Sequence, residues 1–307
     1  MNIGKESKSK LSLVSAMLIF GTVGVFSKYI PLPSGMIALA RAVIGAVFLA
    51  SFMLISKKKP DIAKIKSNLA LLLSSGVCLG VNWILFFMAC KNTTITTATL
   101  SYYLAPLILV FSSAVIFGEK LGVKQIALTV VSLFGIALAS GIVGESASGV
   151  KPLGILYGVL AAFFYATVVT LNKKMKDIDP IDKTLVQFVV SAIAILPYVI
   201  FVERASEYTL NSTAVCGLVV IGVVHTGFAY LLYFGSATRL KSATVAILSY
   251  IDPVTSILIS VLFFSEKIGI LGILGAVLVI GSAAFGEINL SEFSKVKSRV
   301  NNNKNHQ

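Results

Sequence analysis

Three ionisable residues lie inside long apolar runs of the sequence: Arg41, His225 and Asp252. A charge near the middle of a bilayer costs roughly 2.5–3.5 kcal/mol on insertion scales, so such a residue calls for a functional hypothesis. Asp252, directly before Pro253, could bind a proton or a cation. It could also cap backbone groups that Pro253 leaves unpaired, or form a structural ion pair with Arg41.

Arg41 and His225 each have two interpretations. The guanidinium of Arg41 could bind a substrate carboxylate through two parallel hydrogen bonds, or it could snorkel to the interface or hold a structural pair. The imidazole of His225 could titrate near neutral pH and relay protons, or it could be a satisfied donor between helices. We assign Asp252 and His225 as candidate proton-coupling residues, and Arg41 as a structural or gating residue.

Aromatic and small polar side chains form a second group of candidates, concentrated before two prolines. Rings and amides of this kind suit an amphipathic organic solute, which needs apolar walls and a few polar anchors. A cation could also sit over an aromatic face; the alternative is an interface belt or plain helix packing. The candidate substrate-binding residues are Asn82, Trp83, Tyr102, Tyr103, Tyr165, Tyr230, Ser249 and Tyr250.

Pro106 and Pro253 lack a backbone donor and should kink or open their helices. Within a bilayer, freed carbonyls are tolerated only where protein or a watery cavity satisfies them. The two prolines therefore mark either a cavity or a packing kink. Glu119 and Glu266, each followed by lysine, fall at helix ends and are predicted to be structural or gating residues.

The elements that position these residues are apolar runs of membrane-crossing length. The 307-residue chain is 56% hydrophobic and 13% charged, with a mean hydropathy of +0.91, whereas a soluble domain carries about 25% charged residues. A crossing helix needs about 20 mostly apolar residues. The predicted spans are 11–30, 34–56, 68–90, 95–117, 122–143, 152–172, 182–202, 211–235, 242–265 and 269–287.

Charge in the loops predicts orientation. Lysine and arginine concentrate in the loops of one side and at both termini, within a net charge of +13. That side should face the cytoplasm, which places both termini inside a cytoplasmic-membrane protein and requires an even number of spans. The same pattern argues against a nucleic-acid partner. We find no P-loop, metal-ligand cluster or cofactor motif, and expect no cofactor.

The second half of the chain repeats the first. Residues 80–122 align without a gap with residues 227–269, which places Pro106 on Pro253 and Tyr103 on Tyr250. A unit of five spans is odd, so the second copy should enter the membrane from the opposite side, as in transporter folds with inverted repeats. We predict repeats at 1–145 and 150–290 and a polar cytoplasmic tail at 291–307.

Several motifs identify a family that the chain resembles. The segment FGTVGVFSK, the arginine of RAVIGAVFLA, and the pair LAPLILVFSSAVIFGEKL and IDPVTSILISVLFFSEKI are similar to those of the drug/metabolite transporter superfamily, EamA type. The resemblance implies an all-α integral membrane fold of ten helices in two inverted five-helix repeats. It also implies a secondary carrier, often an exporter, with a cavity lined mainly by spans 1, 3, 4, 6, 8 and 9.

We therefore predict a secondary active transporter, not an enzyme, that exports a small organic metabolite such as an amino acid or amine by alternating access. A proton gradient acting through Asp252, exchange, or the solute's own gradient could drive it. An intramembrane enzyme using Asp252 and His225, a channel, or a structural membrane protein are the alternatives. The expected partners are the lipid bilayer, the substrate and, as a candidate, protons, in a monomer or homodimer.

Overall fold

The computed structural model describes residues 3–105, 107–109, 111, 123–139, 152–204, 208–237, 239–240, 242–264 and 268–287. Within these ranges every regular element is a helix. The elements are α1 (Ile3–Tyr29), α2 (Ser34–Ile55), α3 (Ile62–Ser67), α4 (Leu69–Asn92), α5 (Ile95–Tyr102), α6 (Val123–Ala139), α7 (Pro152–Lys174), α8 (Pro180–Phe201), α9 (Ser212–Val219), the π-helix (Val220–Phe228), α10 (Ala229–Ala237), α11 (Ser242–Ser249), α12 (Ile251–Phe264) and α13 (Ile270–Glu287). Pro106, Glu119 and Glu266 lie outside the described residues.

Six helices of the described chain are long and apolar enough to cross a bilayer. They are α1, α2, α4, α7, α8 and the continuous run from α9 through the π-helix into α10. Shorter apolar helices accompany them. The prediction of an all-helical membrane protein is thus confirmed, while the count of ten spans stays a prediction.

Polar residues in the short loops determine where several helices begin. The side chains of Asp61, Thr94 and Asn211 accept hydrogen bonds from free backbone N–H groups in the first turns of α3, α5 and α9. Asp179 does the same for α8, where its Oδ1 lies 2.8 Å from the Ile181 nitrogen. These residues satisfy donors that a helix cannot pair internally, which fixes the start of each helix.

The predicted run over 242–265 is divided into two helices rather than one. The chain leaves the helical path at Tyr250, so that α11 ends at Ser249 and α12 begins at Ile251. Pro253 lies in the first turn of α12, where its missing N–H breaks no helical bond. In a continuous helix that N–H would have paired with the Ser249 carbonyl, which explains why the division falls there.

The long helices pack mainly against helices that are not their neighbours in the sequence. Helix α4 lies against α7 and α8, α1 against α10 and α12, and α2 against α8 and the π-helix. Helix α5 contacts α7 and α12, while α6 pairs with α13. The largest buried apolar cluster joins α2, α4 and α8 through residues such as Leu49, Phe87 and Phe188.

Candidate functional site

A cavity of about 590 Å³ lies inside the bundle, between α1, α2, α4, α5, α7, α10, α11 and α12. Pockets for small organic molecules usually fall between about 300 and 1,000 Å³. The walls are mainly aromatic and aliphatic, and a few polar side chains interrupt them. The cavity is therefore large enough for a metabolite of the size of an amino acid.

The cavity brings together side chains that are far apart in the sequence. All eight candidate substrate-binding residues line it, and so do Arg41 and Asp252. The sequence-based set missed several other residues of the wall. These are Met17, Phe20, Phe86, Thr99, Tyr233 and Ser256, among others.

Helical spacing could have found four of these six residues. Phe86 follows Trp83 by three positions, Tyr233 follows Tyr230 by three, Thr99 precedes Tyr102 by three, and Ser256 lies one turn beyond Asp252. Residues three or four apart share one face of a helix. In each of these cases the missed residue lies one helical turn from a predicted one.

His225 lies outside the cavity wall. It is 2% exposed, and its Nε2 lies 2.7 Å from Thr22 Oγ1 while its Nδ1 lies 3.3 Å from the Val220 carbonyl. The Val220 carbonyl can only accept, so in the neutral imidazole Nδ1 carries the proton and Nε2 is the acceptor that faces the Thr22 hydroxyl. The imidazole thus bridges two helices, and the structure does not bring His225 and Asp252 into one cavity.

Arg41 is buried, at 5% exposure, and does not snorkel to the surface. Its Nε donates to Thr226 Oγ1 over 2.9 Å. Its guanidinium carbon lies 4.4 Å from the centre of the Trp83 ring, a cation–π contact. Trp83 in turn packs against Phe188, with ring centroids 5.4 Å apart, so the cation is held over a supported aromatic face.

Asp252 lies in the first turn of α12, where the positive end of the helix dipole favours a carboxylate. The Tyr103 hydroxyl lies close to this carboxyl group and donates to the Ser249 carbonyl over 3.5 Å. The ion pairs formed within the described residues do not join Asp252 to Arg41. Arg41 and Asp252 therefore face the same cavity without a direct ion pair between them.

The remaining polar groups tie the aromatic wall together. Asn82 Nδ2 donates to the Ala161 carbonyl over 2.7 Å, which links α4 to α7. The ring centroids of Tyr102 and Tyr165 lie 5.6 Å apart. Tyr103 and Tyr250, which align in the repeat, face each other at 6.5 Å.

Two pairs of hydroxyl side chains join α5 to α12, and the members of the inner pair, Thr99 and Ser256, line the cavity. Thr99 Oγ1 lies 2.9 Å from Ser256 Oγ, and one turn further out Thr96 Oγ1 lies 2.8 Å from Ser260 Oγ. All four residues are buried. We call this set, which joins α5 to α12, the hydroxyl ladder.

Pro253 is buried beside the site but does not line the cavity. Its position in α12 places Asp252 in the first helical turn. Among the described residues, no group of three or more histidine, cysteine or acidic side chains is arranged to hold a metal ion. The site thus offers charge, aromatic faces and hydroxyl groups to a ligand.

Comparison with known proteins assigns the chain to a protein family. The family model described as the EamA-like transporter family matches the chain over residues 8–141 and again over 152–285. The chain is 30% identical to the uncharacterized transporter YxxF of Bacillus subtilis over 281 residues, covering 91% of this chain and 89% of that protein. It is 24% identical to protein RarD of Salmonella typhi over 275 residues, covering 88% and 90%.

A solved crystal structure shares the fold. It superposes with a TM-score of 0.63 at 19% sequence identity, covering 91% of this chain and 97% of the other. At this level of identity the likeness concerns the path of the chain. It agrees with the helical bundle described above.

Proposed function

The chain belongs to the EamA-like transporter family, and on this premise we propose that it is a secondary active transporter for a zwitterionic solute of the amino-acid class. The observation that carries the proposal is the cavity in which Arg41 and Asp252 face the same space without pairing. The solute would place its carboxylate on Arg41 and its ammonium group on Asp252. Its apolar side chain would lie against the tyrosines and Trp83.

Charge complementarity supports this class of solute. Charged groups that are removed from water without an ionic partner are costly, and a ligand that supplies both opposite charges offsets that cost. Of the cavity-lining residues in the described part of the chain, Arg41 alone is basic. A phosphorylated sugar or nucleotide would need several such groups, and a simple amine would leave Arg41 unpaired.

Two inverted repeats of five spans, 1–145 and 150–290, account for several structural equivalences. Helices α5 and α11 end at Tyr102 and Ser249, which the sequence repeat aligns. Lys57 and Arg204, at the same offset, both adopt left-handed backbone with φ of 52° and 49°. The family model also matches the chain twice. These features support the ten-span count.

Helix packing supports the same symmetry. The contact of α4 with α7 has its counterpart in that of α1 with α10, and α5 with α7 corresponds to α1 with α11. The contact of α4 with α8 corresponds to that of α2 with the π-helix. Exchange of these equivalent contacts between the halves would open the cavity first to one face and then to the other.

The hydroxyl ladder would be the gate at one face. With both termini in the cytoplasm, α5 begins and α12 ends at the outer side of the membrane, so the ladder closes the cavity outward. A net hydrogen bond contributes only about 0.5–1.5 kcal/mol, because released hydroxyl groups can bond to water. Opening this gate would therefore be thermally accessible, and export would follow from loading on the cytoplasmic side.

Asp252 would couple export to protons. The carboxylate can hold either a proton or the ammonium group of the solute, but not both. Binding of the solute from the cytoplasm would displace the proton, and binding of an external proton would reset the site. Exchange of solutes or the solute's own gradient would be the drivers if Asp252 only anchors the substrate.

Binding to purified protein tests the proposed substrate class. L-phenylalanine, L-leucine, 2-phenylethylamine, 3-phenylpropionate and AMP are compared by thermal shift, since a ligand of the folded state stabilises it in proportion to RT ln(1 + [L]/Kd). We expect the amino acids to raise the unfolding temperature more than the amine or the acid. Saturable counterflow of the same amino acid in proteoliposomes should follow. Preferential stabilisation by AMP, or by none of the five, would refute the proposal.

A further inference from the structure

A π-helix of nine residues, Val220–Phe228, interrupts the run between α9 and α10. π-helices are rare, usually a single turn, and are frequent at functional sites. This one lies against α2, the helix that carries Arg41. Its side chains are buried at Ile221, His225 and Thr226.

The wider turn of the π-helix changes the direction of the Thr226 hydroxyl. In the α-helices, threonine hydroxyls bond the carbonyl three or four residues back, and Thr167, Thr170 and Thr184 all bond the fourth. Thr226 instead donates to the Ile221 carbonyl, five residues back, over 2.9 Å. With its hydrogen committed to the backbone, Oγ1 is oriented to accept from Arg41.

Close approach of the two helices makes this contact possible. Gly45 lies one turn beyond Arg41 on α2, and a Cβ at that position would lie 2.6 Å from Thr226 Cγ2. Gly222 and Gly227 of the π-helix likewise lie close against α2, at Ile44 and Phe48. The glycines let the backbones approach, as small residues do between membrane helices.

Arg41 is thereby fixed from two sides. Thr226 holds the Nε edge of the guanidinium, and Trp83 supports its face. Only the two terminal nitrogens then remain to reach into the cavity. Two terminal nitrogens presented together are the arrangement that binds a carboxylate through parallel hydrogen bonds.

We infer that Thr226 is a positioning residue, which uses the π-helix to aim the terminal guanidinium nitrogens of Arg41 at the carboxylate of the solute. The positioning itself does not depend on the transported solute, whereas its role toward a carboxylate rests on the proposed function. Thr226 does not line the cavity and so acts through Arg41.

The chain carries its own probe for this arrangement, because Trp83 is its only tryptophan. Its fluorescence reports the guanidinium that lies over the ring. The emission of purified protein is measured for wild type, Arg41→Gln, Thr226→Val, Thr226→Ser and Gly45→Ala. Thr170→Val is the matched control, since Thr170 is equally buried but bonds only the Ala166 carbonyl of its own helix.

We expect Thr226→Val and Gly45→Ala to move the emission toward that of Arg41→Gln, because valine removes the acceptor and alanine displaces it. Thr226→Ser and Thr170→Val should keep the wild-type spectrum. Thr226→Ser also separates a loss of the hydroxyl from a general packing defect. A wild-type spectrum in Thr226→Val, or no effect of Arg41→Gln itself, would overturn the inference.

Ligand binding separates this inference from the proposed function. The ratio of the dissociation constants of L-phenylalanine and 2-phenylethylamine measures the contribution of the carboxylate. We expect Thr226→Val to lower the preference for the amino acid roughly fivefold, the equivalent of one net hydrogen bond. If the spectra change as expected but wild-type protein does not prefer the amino acid, the positioning stands and the carboxylate assignment of the proposed function fails.

Discussion

At the scale of single residues, the site places a buried arginine and a partly buried aspartate in one cavity without an ion pair between them. Arg41 is fixed by a threonine hydroxyl and an aromatic face, whereas Asp252 lies at a helix N-terminus close to a tyrosine hydroxyl. Such an arrangement is expensive without a ligand, since removing a charge from water costs several kcal/mol after relaxation. The expense is consistent with a site that a doubly charged solute completes.

Replacing Asp252 tests the proposed coupling. Asp252→Asn keeps the size and hydrogen-bonding capacity of the side chain but cannot exchange a proton. We expect transport in proteoliposomes to lose its dependence on an imposed pH gradient, and binding of L-phenylalanine to weaken about tenfold or more because a charge-assisted hydrogen bond is lost.

Asp182→Asn is the matched control for this substitution. Asp182 is a buried carboxylate of α8 that accepts from the Asp61 backbone nitrogen, outside the cavity. Its variant should keep the pH dependence of the wild type. An unchanged response to the pH gradient in Asp252→Asn would remove the proton site from the mechanism.

At the scale of elements, small residues and helix ends shape the cavity more than long apolar helices do. Helix α1 approaches the start of α12 at Gly21, a residue of the cavity wall. The division of the chain at Tyr250 brings the first turn of α12 to this point. Because Gly21 has no side chain, α1 can lie close to Asp252.

Gly21→Ala should separate these two elements. A Cβ at Gly21 would lie 2.6 Å from the Asp252 carbonyl oxygen and 2.7 Å from Thr255 Cβ. Overpacking costs about 1–3 kcal/mol, from which the higher helix propensity of alanine subtracts up to about 1 kcal/mol. We expect a lower free energy of unfolding in detergent and slower counterflow. Gly281→Ala, which meets no atom within 4 Å, should show neither effect.

Cross-linking the hydroxyl ladder tests whether α5 and α12 separate during transport. In a background without Cys78, Cys90 and Cys216, the pair Thr96→Cys and Ser260→Cys should form a disulfide on oxidation, because the wild-type hydroxyl oxygens lie 2.8 Å apart. We expect oxidation to stop counterflow and a reductant to restore it.

The control pair is Ser132→Cys and Ser282→Cys, which joins α6 to α13 away from the cavity. Oxidation of this pair should leave counterflow intact. Continued transport with the ladder cross-linked would show that the gate lies elsewhere.

At the scale of the whole molecule, contacts at the ends of α2 and α8 join the two halves of the chain. The Glu203 carboxylate, which follows α8, accepts from the nitrogens of Gly35 and Met36 at the start of α2 over 2.8 and 2.9 Å. At the other end, Lys58, which follows α2, pairs with Asp179 at the start of α8 over 2.6 Å. Contacts made by charged side chains thus join α2 and α8 at their two opposite ends.

The second of these contacts also affects the acidity of its carboxyl group. Partial burial raises the pKa of Asp179, but the hydrogen bonds from Lys58 and from the Ile181 backbone N–H outweigh burial and hold the pKa below its ordinary value. A depressed pKa means that this contact stabilises the fold above the ordinary pKa. That contribution is lost as the pH falls through the lowered value.

Replacing Glu203 measures the contact at the other end. Its carboxylate supplies the cap that Pro33, at the N-cap position of α2, lacks. Glu203→Gln removes the charge and leaves one acceptor oxygen for two N–H groups, so we expect the free energy of unfolding in detergent to fall by about 1–2 kcal/mol. Glu6→Gln, which affects an exposed pair with Lys10, should change it by less than about 0.5 kcal/mol. Equal stability of the two variants would contradict the capping role.

The sequence by itself determined the helices, the membrane and the duplication, because these depend on residues close together in the chain. Apolar runs of about 20 residues specify a bilayer solvent wherever they occur. The predicted run over 34–56 and the observed helix Ser34–Ile55 differ by one residue. The candidate substrate-binding residues were chosen from residue type, half of them just before the two prolines and half within other spans.

Only the tertiary structure decided which of these side chains meet. It turned His225 toward Thr22 and away from the cavity, gave Arg41 a threonine partner rather than Asp252, and aligned the hydroxyl ladder across α5 and α12. These outcomes depend on the rotation and separation of packed helices, which glycines such as Gly45 and the π-helix set. Apolar character does not encode rotation about a helix axis in a protein surrounded by lipid, since both faces of a span are apolar.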